Sequence, residues 1–557
     1  MTDLGTRPGR ALRRAAPALL GYAAVRALGL LTLALWSAAR DKSAYTLLTA
    51  RWDALWYTRV AELGYGYEVR LPNGDVHSNL AFFPLLPWLE RLLSALTPLS
   101  YADAGFVVSL LASLAAAWGV FAVTDHVYGG RAGVCAVLLW AVLPVGIVQS
   151  MAYSESLFTA LAAWSLYAVL TGRWVTAGLL ASLAGLTRPV GLAVVAAVWV
   201  TGATAFLRER RNRDETATAS GEPKRGETAT TTGEPDRDGT ATTSGKRERG
   251  ETATTTGEPE RDGTATTTGY QDQGETATAS GEPERGETAT VACERDRSEA
   301  ATVTGERDRN EAAAVADEQI HSKAATVACE RDRSRAEGPA SGRNRSAADA
   351  GGARAVGHAP GSGTASQTGR APDAESAPTP SHSPGVGVSA GTSLRRALGM
   401  ALAPLGTAAY VLWVGHRTGK GPLGYLDVQA GWRNGFDGGY AFARFVGDKF
   451  ASFPSALAGA GLIVGVALII WLYVNCVRQS QPLPLLVYAG VVTALALCAS
   501  SYFGSKPRLL MPAFPLLLPL ALALARARTR RSAAVVAAVA LVSALYGAFW
   551  LNGSGPP

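Results

Sequence analysis

Asp53 stands directly behind Arg51 and Trp52 in the stretch RWDALWYTRVAELGYGYE, residues 51–68. A carboxylate held among aromatic rings at a membrane surface has the chemistry of a general base toward an acceptor hydroxyl. The same residue also suits a helix start, since Asp before ALWYTRVAEL can satisfy free backbone N–H groups. The two roles are compatible. Arg51, Trp52 and Glu68, the last residue of the stretch, flank it as binding candidates. Further along come Glu155 in MAYSESLF, Arg188 in GLTRPVGL, and Lys506 and Arg508 in GSKPRLLMP. Charged groups at a membrane boundary cost free energy unless they are paired or used. A guanidinium forks onto phosphate oxygens in two places, so Arg188 suits a lipid phosphate, and Lys506 and Arg508 are expected at the same depth. The plainer alternative is snorkelling of basic side chains toward lipid head groups.

The elements around these residues are membrane-length apolar runs. A hydrocarbon core about 30 Å thick needs roughly 17–25 mostly uncharged residues per helix. About eleven such runs are expected, near 16–38, 104–124, 132–150, 155–171, 174–187, 189–207, 397–415, 455–477, 484–503, 509–525 and 532–551. The fifth is short enough to be tilted or broken. The expected fold is an all-α polytopic membrane protein with a large first outer loop at 39–103. The opening MTDLGTRPGRALRRAAPALL has the look of a signal peptide, yet no cleavage site follows its apolar run, so a retained first helix is expected.

Basic residues set the orientation. Arg7, Arg10, Arg13 and Arg14 put the N-terminus in the cytoplasm. Threading from there leaves Arg131, Arg173, RERRNR at 208–213, Arg395 and Arg396, Arg478 and RARTRR at 526–531 on the inner side. Segments 39–103, 416–454 and 501–508 then face outward, and every candidate residue above lies at the outer face. Arg26, inside the first run, has no short route to water and is expected to pair within the bundle or line a cavity.

Residues 208–396 are a different material, and they divide the chain into an N-terminal half (1–207) and a C-terminal half (397–557). Units such as ETAT and GTAT recur every twelve residues across 215–334. They carry almost nothing apolar to bury, so a disordered cytoplasmic insert is expected rather than a solenoid. DRD at Asp236–Asp238 matches the DxD pattern of metal-dependent sugar transferases, but it is one repeat's variant of RDG and is set aside.

Several function classes fall away. The net charge of +7 is carried by Arg clusters beside apolar runs, with no folded basic face, so nucleic acid is not a partner. The five Cys (Cys135, Cys293, Cys329, Cys476 and Cys498) form no CxxC or Cys/His spacing, so neither a zinc site nor a disulfide framework is indicated. The six His, including His77 and His126, form no ligand pair. No cofactor is expected, and no divalent metal. The abundance of Ala, Gly and Arg fits a GC-rich bacterial genome.

Four motifs in order, RWD…Y..VAE.GYGYE, AFFPLLP, LP……YSESLF and LAGLTRPVGL, resemble the GPI mannosyltransferase 2 (PIG-V) family of the GT-C glycosyltransferase superfamily. The resemblance covers residues 51–192 well. GPLGYLDVQAGWR (421–433) and SKPRLLMPAFPLLLP (505–519) look like bacterial members; the insert has no counterpart. The resemblance implies a GT-C-like bundle and a transferase that moves a sugar, mannose by analogy, from a polyprenyl-phosphate donor by inverting single displacement. It places the chemistry on the extracytoplasmic face of the cell membrane, with Asp53 as base and Arg188 with Lys506 or Arg508 on the leaving phosphate. A lone phosphate on a lipid also accounts for the missing DxD, because no diphosphate needs a metal bridge. The acceptor is a glycan, glycolipid or protein. Two other readings stand beside it. A transporter or flippase of polyprenyl-linked sugars should have paired repeat halves with broken helices, and no internal symmetry is visible. A non-catalytic scaffold recruiting partners through the repeat leaves Asp53 without a task.

Overall fold

The computed structural model describes residues 7–219, 390–500 and 502–553. Nearly all of these belong to one unit built from both halves of the chain; residues 214–304 form a second, described only over 214–219, where a helix ends. The repeat, DRD, Cys293 and Cys329 lie outside the described residues.

The described residues are overwhelmingly helical. In chain order the helices are α1 (Arg7–Ala38), α2 (Ala44–Thr49), α3 (Asp53–Leu63), α4 (Leu85–Leu96), α5 (Tyr101–Tyr128), α6 (Gly130–Ala141), α7 (Ser154–Leu170), α8 (Trp174–Gly185) and α9 (Leu192–Ala219). After the undescribed segment come α10 (Ala390–Leu402), α11 (Leu405–Thr418), α12 (Gly424–Gly431), α13 (Tyr440–Asp448), α14 (Ser455–Arg478), α15 (Leu483–Cys498), α16 (Lys506–Leu510), α17 (Leu518–Arg526) and α18 (Thr529–Leu551). A two-stranded antiparallel hairpin, β1 (Glu68–Arg70) and β2 (Val76–Ser78), sits in the loop between α3 and α4.

Among the described residues six helices are long and apolar enough to cross a membrane, or seven if a bent pair counts as one span. Four shorter apolar helices, α6, α7, α8 and α15, accompany them. This is an all-α, polytopic membrane architecture. The expected eleven full-length spans resolve differently, because prolines and short connections break several apolar runs. The run at 132–150 is helical only to Ala141, and after Val142-Leu143-Pro144 it resumes as a 3-10 turn at Gly146–Ser150. The run at 509–525 is the bent pair Phe503–Leu510 and Phe514–Arg526, kinked by 75° where Pro512 and Pro515 interrupt the helix ladder.

Backbone groups freed at such breaks need partners where water is absent. Trp140 and Tyr488 donate to the carbonyls of Met511 and Pro512, at 3.1 and 3.0 Å. At the other break Arg26 donates to the carbonyls of Ala141 and Gly146, and Ser543 donates to that of Leu143 at 2.7 Å. Arg26 is thus the internal tie of a broken helix, as well as a wall of a small cavity lined with Gly29, Ile147 and Ser543.

The two halves lock together through α8. A Cβ on Gly178 or Gly406 would run into the backbone of Gly399 or Ser182, so α8 packs on α10 and α11 at glycine-limited distance. At the insert's expected edges the chain is still helical. RERRNR continues α9, and Arg396 in α10 pairs with Glu209 at 2.7 Å.

Candidate active site

Four breaks in the helical framework meet at one end of the bundle, and each contributes a side chain. The first lies between α2 and α3. Trp52 has φ 51° and ψ −124°, a conformation strained for any residue with a Cβ. It turns the chain so that α3 begins at Asp53. Trp52 occupies the cap position without a side-chain capping hydrogen bond, so Asp53 is the first helical residue. Its carboxylate is aimed at a residue from the other half of the chain.

That residue is Arg508, on the short helix α16 ahead of the kink. Arg508 Nη2 lies 2.8 Å from Asp53 Oδ2, and Arg508 Nε lies 3.0 Å from Glu155 Oε1. Glu155 Oε1 also pairs with Arg188 Nη1. Arg188 precedes Pro189, which keeps its backbone extended (φ −160°, ψ 153°) in the connection between α8 and α9. The result is a charge-balanced square of two carboxylates and two guanidiniums. Its members are not equally accessible: the side chains of Glu155, Arg508 and Arg188 are 1%, 10% and 14% exposed, that of Asp53 26%.

The motif YSES, residues 153–156, shapes this square from below. The Tyr153 ring lies 5.1 Å from the Arg508 guanidinium carbon. Ser154 Oγ is 2.7 Å from the Tyr57 hydroxyl and accepts a longer bond, 3.4 Å, from Arg188. Ser156 donates to the carbonyl of Gln149 at 3.3 Å, fixing the start of α7. Ala152 N–H donates to the Leu48 carbonyl at 3.0 Å, joining this turn to α2 just ahead of Asp53.

An aromatic wall continues from Asp53 along α3. Trp56 and Tyr57 follow Asp53 by three and four positions, so they share its face of the helix. Trp56 stacks on Phe82 with centroids 5.6 Å apart and meets the edge of Trp432 at 4.9 Å, while Tyr57 meets Phe82 edge-on at 5.2 Å. His77 stacks on Trp432 at 4.0 Å, and burial pushes its imidazole below the usual range, favouring the neutral ring.

The candidates therefore divide. Asp53, Glu155, Arg188 and Arg508 come together. Lys506 turns away: its Nζ donates to the carbonyls of Ala496 and Ala499, at 2.9 and 2.7 Å, and binds off the end of α15. Arg51 stacks on Trp52, 4.2 Å from the ring centre, and Glu68 is an exposed strand residue paired in register with Ser78. Tyr57, Tyr153 and Ser154 were missed as site residues, although all three stand inside motifs already singled out. Among the described residues no three His, Cys, Asp or Glu side chains gather as a metal site.

Residues 32–213 match the family model described as Mannosyltransferase (PIG-V). The chain is 33% identical over 155 residues to GPI alpha-1,6-mannosyltransferase 2 of Mus musculus, covering 26% of this chain and 29% of the relative. It is 33% identical over 156 residues to the protein of the same name from Rattus norvegicus, covering 26% and 30%. The chain thus matches less than a third of the length of these relatives. No solved structure matches it. Asp53, Glu155 and Arg188 lie within the matched segment; Arg508 lies outside it.

Proposed function

We propose that this chain, whose residues 32–213 match the Mannosyltransferase (PIG-V) family model, is a membrane mannosyltransferase that uses a polyprenyl-phosphate sugar and acts at the outer face. The observation that carries the reading is the Asp53–Arg508–Glu155–Arg188 square, where a reachable carboxylate pairs with one of two guanidiniums that a buried carboxylate holds. Asp53 accepts the proton of the acceptor hydroxyl as its oxygen attacks the anomeric carbon. The bond from that carbon to the phosphate oxygen breaks, the configuration inverts, and the lipid phosphate leaves. Arg508 and Arg188 stabilise the charge that grows on the departing phosphate.

Accessibility divides the labour between the carboxylates. Glu155 is buried and engaged by two guanidiniums, so it orients them; Asp53 is exposed enough to meet an acceptor. The aromatic wall of Trp56, Tyr57, Phe82 and Trp432 gives the sugar's apolar face a surface beside the base. In the relatives the name specifies an alpha-1,6 transfer toward GPI. Here a glycan, glycolipid or protein acceptor is part of the proposal, as are the cell-membrane location and a GT-C-like bundle.

Broken helices are also a transporter feature. In this chain the carbonyls at the kinks are occupied by Arg26, Trp140, Tyr488 and Ser543, and the charged groups collect at helix ends. That arrangement favours a surface reaction over a midplane binding site. The test is transfer of radiolabelled mannose from polyprenyl-phosphate mannose to envelope acceptors by membranes containing the chain. Label that stays on the donor lipid, with the protein folded, contradicts the reading.

A further inference from the structure

We propose that Asp53 occupies, in the resting protein, the place on Arg508 that the donor's phosphate takes, so that donor binding itself frees the base. This deepens the reading above and rests on its phosphate-bearing donor.

The argument begins with charge. Two guanidiniums already face two carboxylates, so a phosphate added to the intact square would leave it with excess negative charge in a poorly hydrated place. One carboxylate must give way. Glu155 cannot do so readily, because it is 1% exposed and both arginines converge on its Oε1. Asp53 can: among the described residues its one ion-pair partner is Arg508, and its side chain is 26% exposed. Arg508 keeps its Glu155 contact through Nε and its seat on Tyr153, so only its Nη2 edge changes partner. The exchange replaces one charge-assisted contact with another, and it turns Asp53 from an ion-pair partner into a carboxylate available to an acceptor proton. Asp53 is thus a competitor of the phosphate as well as the base.

The competition has a signature opposite to that of a residue that merely helps to bind. Polyprenyl phosphate, added to full-length protein in nanodiscs, should bind Asp53→Asn about five- to tenfold more tightly than wild type. The gain should disappear in an Asp53→Asn/Arg508→Gln double variant compared with Arg508→Gln alone. Equal or weaker binding by Asp53→Asn overturns the proposal, as does a gain that persists without Arg508. If Asp53→Asn does not fold, the wild-type protein decides: a carboxyl-to-guanidinium contact between Asp53 and Arg508, followed by solid-state NMR, should be lost on saturation with polyprenyl phosphate. Survival of that contact overturns the proposal. Wild-type protein that binds no polyprenyl phosphate removes the donor reading and this inference with it, whereas normal binding with no Asp53 effect removes the inference alone.

Discussion

Arg508 Nη2 lies 2.8 Å from Asp53 Oδ2, joining a residue inside the family-matched segment to one outside it. The candidate site is therefore completed by the C-terminal half. It follows that Arg508→Gln should lower mannose transfer by about 100- to 1000-fold, the usual cost of losing a donor to developing charge. Arg508→Lys should recover only part, since an ammonium cannot reach Asp53 and Glu155 as a fork does. Full activity in Arg508→Gln, measured per folded molecule, would remove it from the site.

Lys506 stands two residues away and should behave differently. Lys506→Met leaves the carbonyls of Ala496 and Ala499 without their donor, at a cost of about 1–3 kcal/mol. The expected result is a lower melting temperature with the KM for donor unchanged. A donor KM raised tenfold at unchanged stability would return Lys506 to phosphate binding.

Glu155 is the buried anion to which both guanidiniums of the square are tied. Its replacement by alanine strands Arg188 and Arg508 together, and breaking a buried ion pair this way costs about 3–5 kcal/mol. Thermal unfolding in detergent should drop far more for Glu155→Ala than for Asp53→Asn. Similar small losses in both would show that the square contributes little to the fold.

Glu90, on the amphipathic helix α4 outside the membrane-length runs, supplies a pH prediction. It is wholly buried, neither oxygen has a hydrogen-bond partner among the described residues, and Gly105 leaves it room: a Cβ there would sit 2.5 Å from Glu90 Oε1. Burial pushes its pKa well above the ordinary 4.5. A raised folded-state value means that the proton is held more tightly in the native protein. The stability linked to it is full below the unfolded value near 4.5 and falls as pH rises toward the folded value. Glu90→Met should therefore raise the melting temperature more at pH 8 than at pH 5. An equal effect at both values would mean that the carboxyl is not held protonated by burial.

The sequence discloses these features unequally. Apolar runs show that the chain is built of membrane helices, because hydropathy is a local property, but they do not show how many of those helices are full-length spans. Where a run breaks is less visible: Pro144 and Pro512 are plain to see, but the partners that make those breaks tolerable, Arg26, Ser543, Trp140 and Tyr488, come from remote positions. The site divides in the same way. Asp53, Glu155 and Arg188 stand out within motifs, whereas the choice between Lys506 and Arg508 depends on which way a short helix faces after a 75° kink. Nothing in the local pattern SKPR encodes that. The strained turn at Trp52 was equally hidden, since Trp is not a residue that announces positive φ.

The most direct test of the account is transfer from radiolabelled polyprenyl-phosphate mannose by wild-type protein and by Asp53→Asn, at matched expression and matched melting behaviour. The account predicts that the variant retains the fold and loses transfer by about 100-fold or more, the scale of a general base. Transfer equal in both proteins would contradict it and leave Asp53 as no more than the first residue of a helix.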